Sequence, residues 1–229
     1  PMLLPTITYG FAILYSFGKE GLLTKIFGKQ LFQIYGMNGL LLGYVIYTLP
    51  VSFMLLYNAM SYIDKKYMVV SRVMGDNALS TFWITIIRPL LGTLAASFVQ
   101  SFFLSFTDFG IPAAVGGEFE VLAGVLYDRM LGSVPNFHNG AVVAVVMLIP
   151  SVVSIALLHY LEKYNVRYNK ISNIEIRKNR GRDIVCAGLG SFICLGVLMI
   201  FLVIFVVPFV KQWPYELGFT LENVKNVFG

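Results

Sequence analysis

Long apolar runs alternate with short polar segments along the whole chain. A helix that crosses the hydrocarbon core of a membrane needs about 20 mostly apolar residues. Each run is close to that length, so the pattern predicts an all-α, polytopic membrane helical bundle with about five spanning helices. Pro50 lies inside the second run and predicts a kink there, because proline removes a backbone hydrogen bond. The predicted spans are 2–18, 38–59, 90–107, 140–161 and 184–208.

The composition agrees with a membrane location. The chain is 57% hydrophobic and only 13% charged, whereas a soluble domain carries about 25% charged residues. Its net charge of +5 comes mostly from two short loops, which is typical of a membrane protein and argues against a nucleic-acid-binding surface.

Charge in the connecting segments predicts the orientation. Segments 60–89 and 162–183 are rich in lysine and arginine, whereas 108–139 is acidic. Because basic loops stay in the cytoplasm, we predict that the first two segments are cytoplasmic. Residues 19–37, 108–139 and the tail after 208 would then lie outside.

The segment between the second and third spans is more structured than a simple connection requires. Its apolar residues Ile63, Tyr67, Val70 and Met74 recur at helical spacing. Gly75 follows, and glycine readily adopts the left-handed conformation that ends a helix. The pattern therefore predicts a helix that ends in a tight bend.

A second short helix is predicted after the bend. Asp76 or Asn77 can cap it, and it continues through Phe82 and Ile86. Pro89 should turn the preceding residue away from helical angles and begin the next span. The product is a rigid cytoplasmic hairpin with exposed apolar residues.

Two interpretations of this hairpin remain open. It is either an interfacial helix pair that lies on lipid headgroups or a docking element for a cytoplasmic partner. In the second case Tyr67, Met74 and Leu79 would enter a groove of that partner.

The run "MGDNALSTFWITIIRPLL" resembles the EAA loop of binding-protein-dependent ABC importer permeases. That pattern has Glu-Ala-Ala, three residues, a glycine and then I-x-L-P. Gly75 and Pro89 match it. Residues 69–71, which are Val-Val-Ser, replace Glu-Ala-Ala, and Arg88 replaces the usual leucine. The run from Gly75 to Pro89 is also about one residue longer than the pattern.

The resemblance extends over nearly the whole chain. "PMLLPTITYGFAILYSFGKEG" is similar to the start of a middle span of these permeases, and "SFTDFGIPAAVGGEFEVLAGVLYDRMLG" is similar to the iron(III), sulfate, polyamine and 2-aminoethylphosphonate branch. "LMIFLVIFVVPFVKQWPYELGFTLENVKNVF" resembles the opening of a permease unit. We therefore expect a piece of a fused double permease, with the later part of a first unit in 1–165, a basic cytoplasmic linker in 166–183 and the first span and external start of a second unit in 184–229.

The resemblance implies a subunit of an ATP-driven importer in a bacterial inner membrane. Its partners would be a cytoplasmic ATP-binding subunit dimer, an extracytoplasmic binding protein and membrane lipid. ATP and magnesium would be bound by the ATPase, so no cofactor is expected on this chain. The substrate would be 2-aminoethylphosphonate or iron(III). The residues predicted to dock the ATPase are Ile63, Tyr67, Val70, Met74, Gly75, Asp76, Leu79, Phe82 and Pro89.

Motifs for catalysis are absent from the sequence. It contains no G-x-x-x-x-G-K-[ST], so the chain is not expected to hydrolyse ATP itself. His138 and His159 have no ligand-like spacing around them, and no metal site is predicted. The chain is therefore predicted to be a transport subunit and not an enzyme.

The third span carries a polar face. Ser97, Ser101, Ser105 and Asp108 recur at helical spacing, with Gln100 beside them. Serines in spans often only pack closely or bond to their own backbone. The alternative is a face that lines a hydrated substrate path, because ionisable groups at membrane depth tend to be functional. A weaker polar line on the second span consists of Tyr44, Thr48 and Ser52.

Two other functional classes remain as alternatives. The chain could belong to a secondary transporter or channel that works without ATP, or to a membrane-embedded enzyme. The lack of a catalytic constellation disfavours the enzyme. A co-purifying ATPase would separate the importer from both alternatives.

Overall fold

The computed structural model describes residues 4–30, 33–64, 66–132, 134–162 and 180–228. Lys65 and most of the predicted linker 166–183 lie outside the described residues. A π turn separates α5 from α6, and a 3₁₀ turn follows α10. The elements are α1 (Thr6–Phe17), α2 (Leu22–Phe27), α3 (Met37–Ser61), α4 (Lys66–Val73), α5 (Ala78–Phe82), the π turn (Trp83–Ile87), α6 (Arg88–Phe106), α7 (Gly110–Val115), α8 (Leu122–Leu131), α9 (Phe137–Glu162), α10 (Arg180–Val206), the 3₁₀ turn (Val207–Phe209), β1 (Val210–Gln212), β2 (Glu216–Phe219) and α11 (Glu222–Phe228).

The described residues contain four helices that are long and apolar enough to cross a membrane. They are α3, the continuous helix from α5 through α6, α9 and α10, and they coincide with four of the five predicted spans. The first predicted span, 2–18, appears as the 12-residue helix α1. The predicted all-α membrane bundle is therefore confirmed, although a small β-hairpin follows α10.

The third span begins differently from the prediction. Arg88 has helical angles, φ −59° and ψ −45°, and does not turn away before Pro89. Helical structure runs without a break from Ala78 to Phe106. The prediction of a break at Arg88 was wrong, because the π turn widens the helix just before the proline and thereby accommodates its ring.

The chain forms two compact units. The first contains residues 1–47, 108–140 and 180–229 and holds the apolar core, in which Tyr9, Ile13 and Ile111 are fully buried. The ring of Tyr9 packs edge-on against Phe201 of α10, with centroids 5.0 Å apart. This contact fixes α10 to α1 within the first unit.

Glycines bring the helices of the first unit into close contact. A Cβ atom at Gly43 of α3 would lie 2.5 Å from Cγ2 of Ile111 in α7, and one at Gly10 of α1 would lie 2.4 Å from Cβ of Ala114. Real Cβ contacts are never this short, so any side chain at either position would force α7 away. Gly43 ends the G-L-L-L-G run of α3, a spacing that favours close helix packing.

Side chains from distant parts of the sequence meet at one edge of the first unit. Lys25 Nζ in α2 donates to the carbonyl oxygen of Pro214, at 2.6 Å, and lies 5.8 Å from the centre of the Tyr215 ring. The Tyr215 hydroxyl donates to the Glu20 carboxylate. This hydrogen bond raises the pKa of the Tyr215 phenol above its ordinary value. The loop of the β-hairpin is therefore fixed to the connection between α1 and α2.

The second unit contains residues 48–107 and 141–179. It includes α4, α5, the π turn and α6, and thus the predicted docking residues and every residue of the predicted polar face except Asp108.

Candidate docking site and polar helix face

The predicted bend after the first short helix has a defined hydrogen-bond pattern. The N–H of Asp76 donates to the carbonyl of Ser71 at 3.1 Å, and the N–H of Gly75 donates to the carbonyl of Arg72, also at 3.1 Å. This pair of bonds is the Schellman motif, which requires a left-handed residue after the helix. Gly75 has φ +88° and supplies that residue. The predicted conformation of Gly75 is confirmed.

The second helix begins with an asparagine cap. The Asn77 side chain accepts a hydrogen bond from the backbone N–H of Ser80 at 2.8 Å. Asp76, the other candidate for the cap, faces the first helix, where its carboxylate accepts from the Ser71 hydroxyl at 2.5 Å. Of the two capping residues left open by the sequence, the structure selects Asn77, and Asp76 joins the two helices.

The first helix begins later than its apolar pattern predicts. It spans Lys66–Val73, and Ile63 lies before it, half-buried. Asp64 accounts for the late start, because its carboxylate accepts the backbone N–H of Lys66 at 2.9 Å. Ile63 therefore does not belong to the helical apolar line that was predicted from 63 to 74, whereas Tyr67 and Val70 lie within the helix.

The inner face of this hairpin is polar. Ser71, Thr81 and Thr85 are each 5% exposed or less. The Ser71 hydroxyl lies 3.1 Å from that of Thr81, and the Thr85 hydroxyl donates to the Thr81 carbonyl at 2.5 Å. Because these buried hydroxyls are hydrogen-bonded, their burial costs little. The spacing of apolar residues in the sequence did not predict this polar face.

The outer face of the hairpin is apolar. Exposure ranges from 43% at Val69 to 82% at Val73. Exposed apolar patches of this kind mark interaction surfaces. Val69, Val73, Trp83 and Ile84 were not among the predicted docking residues. We call the exposed apolar residues the docking face: Tyr67, Val69, Val70, Val73, Met74, Leu79, Phe82, Trp83 and Ile84.

The π turn aligns the hairpin with the third span. Thr81 is buried before it, Thr85 within it, and Leu90 and Ser97 after it. In an uninterrupted α-helix the nine residues from Thr81 to Leu90 would leave Leu90 about 180° away from Thr81. One extra residue in the turn reduces that angle to about 80°. The residues buried before and after the turn thus share one side of the helix, and the longer Gly75-to-Pro89 run finds its structural counterpart.

The serine face of the third span takes part in helix contact. The Ser101 hydroxyl lies 2.8 Å from the Ser52 hydroxyl of α3, so the two spans share a hydrogen bond. Ser97 is 6% exposed, whereas Gln100 and Ser105 are half-buried. The structure therefore connects the predicted polar lines of the second and third spans through Ser52 and Ser101, and the predicted substrate path along them stays a prediction.

Asp108 has a local structural role. It is 7% exposed, and its carboxylate accepts the backbone N–H groups of Gly110 at 3.3 Å and Ile111 at 3.0 Å. These bonds satisfy donors at the beginning of α7. Asp108 belongs to the first unit and the three serines to the second.

No metal-binding cluster occurs among the residues that the structure describes, where no group of three histidine, cysteine, aspartate or glutamate side chains could hold an ion.

Comparison with known proteins identifies relatives that carry iron-transport names. The chain is 26% identical over its full length to the ferric transport system permease protein FbpB 1 of Haemophilus influenzae, of which it covers 38%. It is 28% identical over its full length to the ferric transport system permease protein FbpB of Actinobacillus pleuropneumoniae, of which it covers 35%. The chain thus spans little more than a third of these curated relatives. No solved structure matches it.

A family model covers most of the chain. Residues 1–168 match the model described as "Binding-protein-dependent transport system inner membrane component". This agrees with the multi-pass inner-membrane location and with the prediction that the chain is a transport subunit and not an enzyme. The chain belongs to the family of inner-membrane components of binding-protein-dependent transport systems.

Proposed function

We propose that the chain forms part of the membrane path of an ATP-driven importer and that the docking face receives the cytoplasmic ATPase. One observation carries the proposal: the hairpin buries its hydroxyls and exposes its apolar side chains. A solvated loop would have the opposite arrangement. Membership of a binding-protein-dependent family supports an ATP-binding partner inside and a binding protein outside.

Iron(III) is the proposed substrate. Both curated relatives described above carry the name of ferric transport permeases. The sequence resemblance also includes 2-aminoethylphosphonate permeases, which makes that phosphonate the competing substrate. The two differ in charge and size, so a binding assay on the external binding protein separates them.

The fused arrangement is a further part of the proposal. The family match ends at residue 168, close to the predicted end of the first unit at 165. α10 would then be the first span of a second unit, and the β-hairpin would be part of its external start. The contacts of Lys25 and Glu20 with that hairpin support an external connection between the two permease units.

Reconstitution of the full-length protein with its ATPase and binding protein tests the proposal. We expect the ATPase to co-purify, and we expect ATP hydrolysis to rise when the binding protein carries iron(III). Iron uptake that proceeds without ATP would favour the secondary transporter or channel instead. Stimulation by 2-aminoethylphosphonate and not by iron(III) would change the substrate and leave the importer intact.

A further inference from the structure

Basic side chains surround the docking face. Lys66 and Arg72 are exposed at the two ends of α4, and Arg88 is exposed after the π turn. Among the described residues, Arg72 makes no ion pair. The charge of its guanidinium is therefore presented to whatever covers the hairpin.

The acidic side chains of the hairpin are engaged within it. Asp64 is 6% exposed and accepts the backbone N–H of Lys66. The Asp76 carboxylate accepts from the hydroxyls of Ser71 at 2.5 Å and Ser80 at 3.5 Å. Of these two carboxylates only that of Asp76 belongs to an exposed residue. Three basic residues, Lys66, Arg72 and Arg88, are exposed beside it, so the margin of the apolar surface is mostly basic.

At position 69 the charge of the chain also differs from that of the EAA pattern. The EAA pattern has a glutamate there, whereas this chain has Val69, which is 43% exposed. Three residues later, Arg72 adds a positive charge to the same short helix. The docking face thus lacks the acidic group of the EAA pattern and has an exposed basic group nearby.

We infer that the ATPase recognises this hairpin through an apolar groove with acidic residues along its rim. The inference rests on the proposed function, since it describes the partner of the same docking face. Opposite charges at the rim of an interface accelerate association and exclude partners of the wrong charge. An ATPase whose groove carries a cation for the glutamate of the EAA pattern would be repelled by Arg72.

The shape of the hairpin favours a groove over a lipid surface. The most exposed apolar side chains, Val73, Met74 and Leu79, lie on both sides of the Gly75 bend and are 78–82% exposed. They form a projecting end, which fits a concave protein surface. A helix that lies on lipid presents one long flat apolar side, but α4 has only eight residues, and the helix after the bend continues into the third span.

Charge substitutions in the full-length transporter test the inference. Binding of the ATPase would be measured at low and high salt in detergent. We expect Arg72→Glu to weaken binding about tenfold at low salt and less at high salt, because salt screens rim charges. Val69→Glu should also weaken it, whereas the neutral variants Arg72→Gln and Val69→Gln should have smaller effects. Lys211→Glu, on the β-hairpin, is the matched control and should bind normally.

Three outcomes would overturn the inference. If Arg72→Glu binds as tightly as the wild type at low salt, the rim is not acidic. If Val69→Glu binds more tightly, the groove carries a cation. If the charge variants reduce ATP hydrolysis only in nanodiscs that contain anionic lipid, the basic margin binds lipid headgroups.

Leu79→Asp distinguishes failure of the inference from failure of the proposed function. This change places a charge in the docking face and should abolish ATPase binding. If Leu79→Asp abolishes binding and the charge variants do not, only the acidic rim is wrong. If the ATPase binds Leu79→Asp as it binds the wild type, the hairpin is not the docking site and both proposals fail.

Discussion

Insertion of one alanine after Leu91 should uncouple the hairpin from the third span. This position lies in the regular helix α6, where one added residue changes the register of everything before it. The hairpin would then rotate by about 100° relative to the rest of α6. Side chains lie about 5–6 Å from a helix axis, so Phe82 and the rest of the docking face would move by about 8 Å. A movement of that size removes an apolar side chain from any groove shaped to receive it.

The assay compares the insertion with two variants of the π turn in the full-length transporter. Ile84→Ala removes most of one side chain without a change of register, and it should retain substrate-stimulated ATP hydrolysis. Deletion of Ile84 removes the extra residue of the π turn and leaves an ordinary α-helix, in which the hairpin and α6 keep their relative orientation, so it should retain most of the stimulation. The insertion should lose the stimulation, although the span remains apolar enough to insert. Wild-type stimulation in the insertion variant would refute the reasoning that the hairpin must keep its orientation on α6.

Three further predictions concern the bend, the span contact and the orientation. Gly75→Ala should lower the free energy of unfolding by about 1 kcal/mol because φ is +88°. Gly75→Val should lower it further and reduce ATPase binding. Normal ATP hydrolysis in Gly75→Val would contradict a docking role. Ser101→Ala removes a hydrogen bond to Ser52 worth about 0.6 kcal/mol and should lower the melting temperature slightly, whereas Ser101→Leu should also reduce uptake; equal uptake in all forms would indicate simple packing. In a background without the native cysteines, Ala78→Cys should react with an impermeant reagent only in inside-out vesicles and Lys225→Cys only in intact cells, and the reverse result would overturn the orientation.

The sequence predicted the spans because they depend on local properties. Length and apolarity were enough to locate α3, α9 and α10 within a few residues of their observed ends. The bend at Gly75 was equally predictable, since few residue types other than glycine tolerate a left-handed backbone angle without strain. These features follow from the physics of single segments.

The π turn was not predictable from the same rules. The residue before a proline is normally biased away from the helix, and that bias led to a predicted break at Arg88. The observed helix continues because one extra residue is accommodated in the wide turn. The only signal in the sequence was the longer run from Gly75 to Pro89. That signal indicates an inserted residue, but it does not specify the backbone conformation that accommodates the residue.

Contacts between distant segments were also beyond the sequence. Lys25 and Pro214 are 189 residues apart, and no periodicity connects them. The bond between Ser52 and Ser101 similarly joins two spans whose polar lines were predicted separately. In both cases the partner of each side chain depends on how whole helices pack, which local patterns do not determine.

The polar interior of the hairpin has a consequence for how this surface can change over evolution. Ser71, Asp76 and Thr81 hold the two helices together through hydroxyl and carboxylate groups, so folding of the hairpin does not depend on the outward side chains. Residues of the docking face can therefore be exchanged one at a time as a partner changes, without loss of the hairpin itself. If the docking face binds an ATPase as proposed, residue 71 would be constrained to a small hydroxyl side chain, whereas exchanges at Val69 and Val70 would change which ATPase binds.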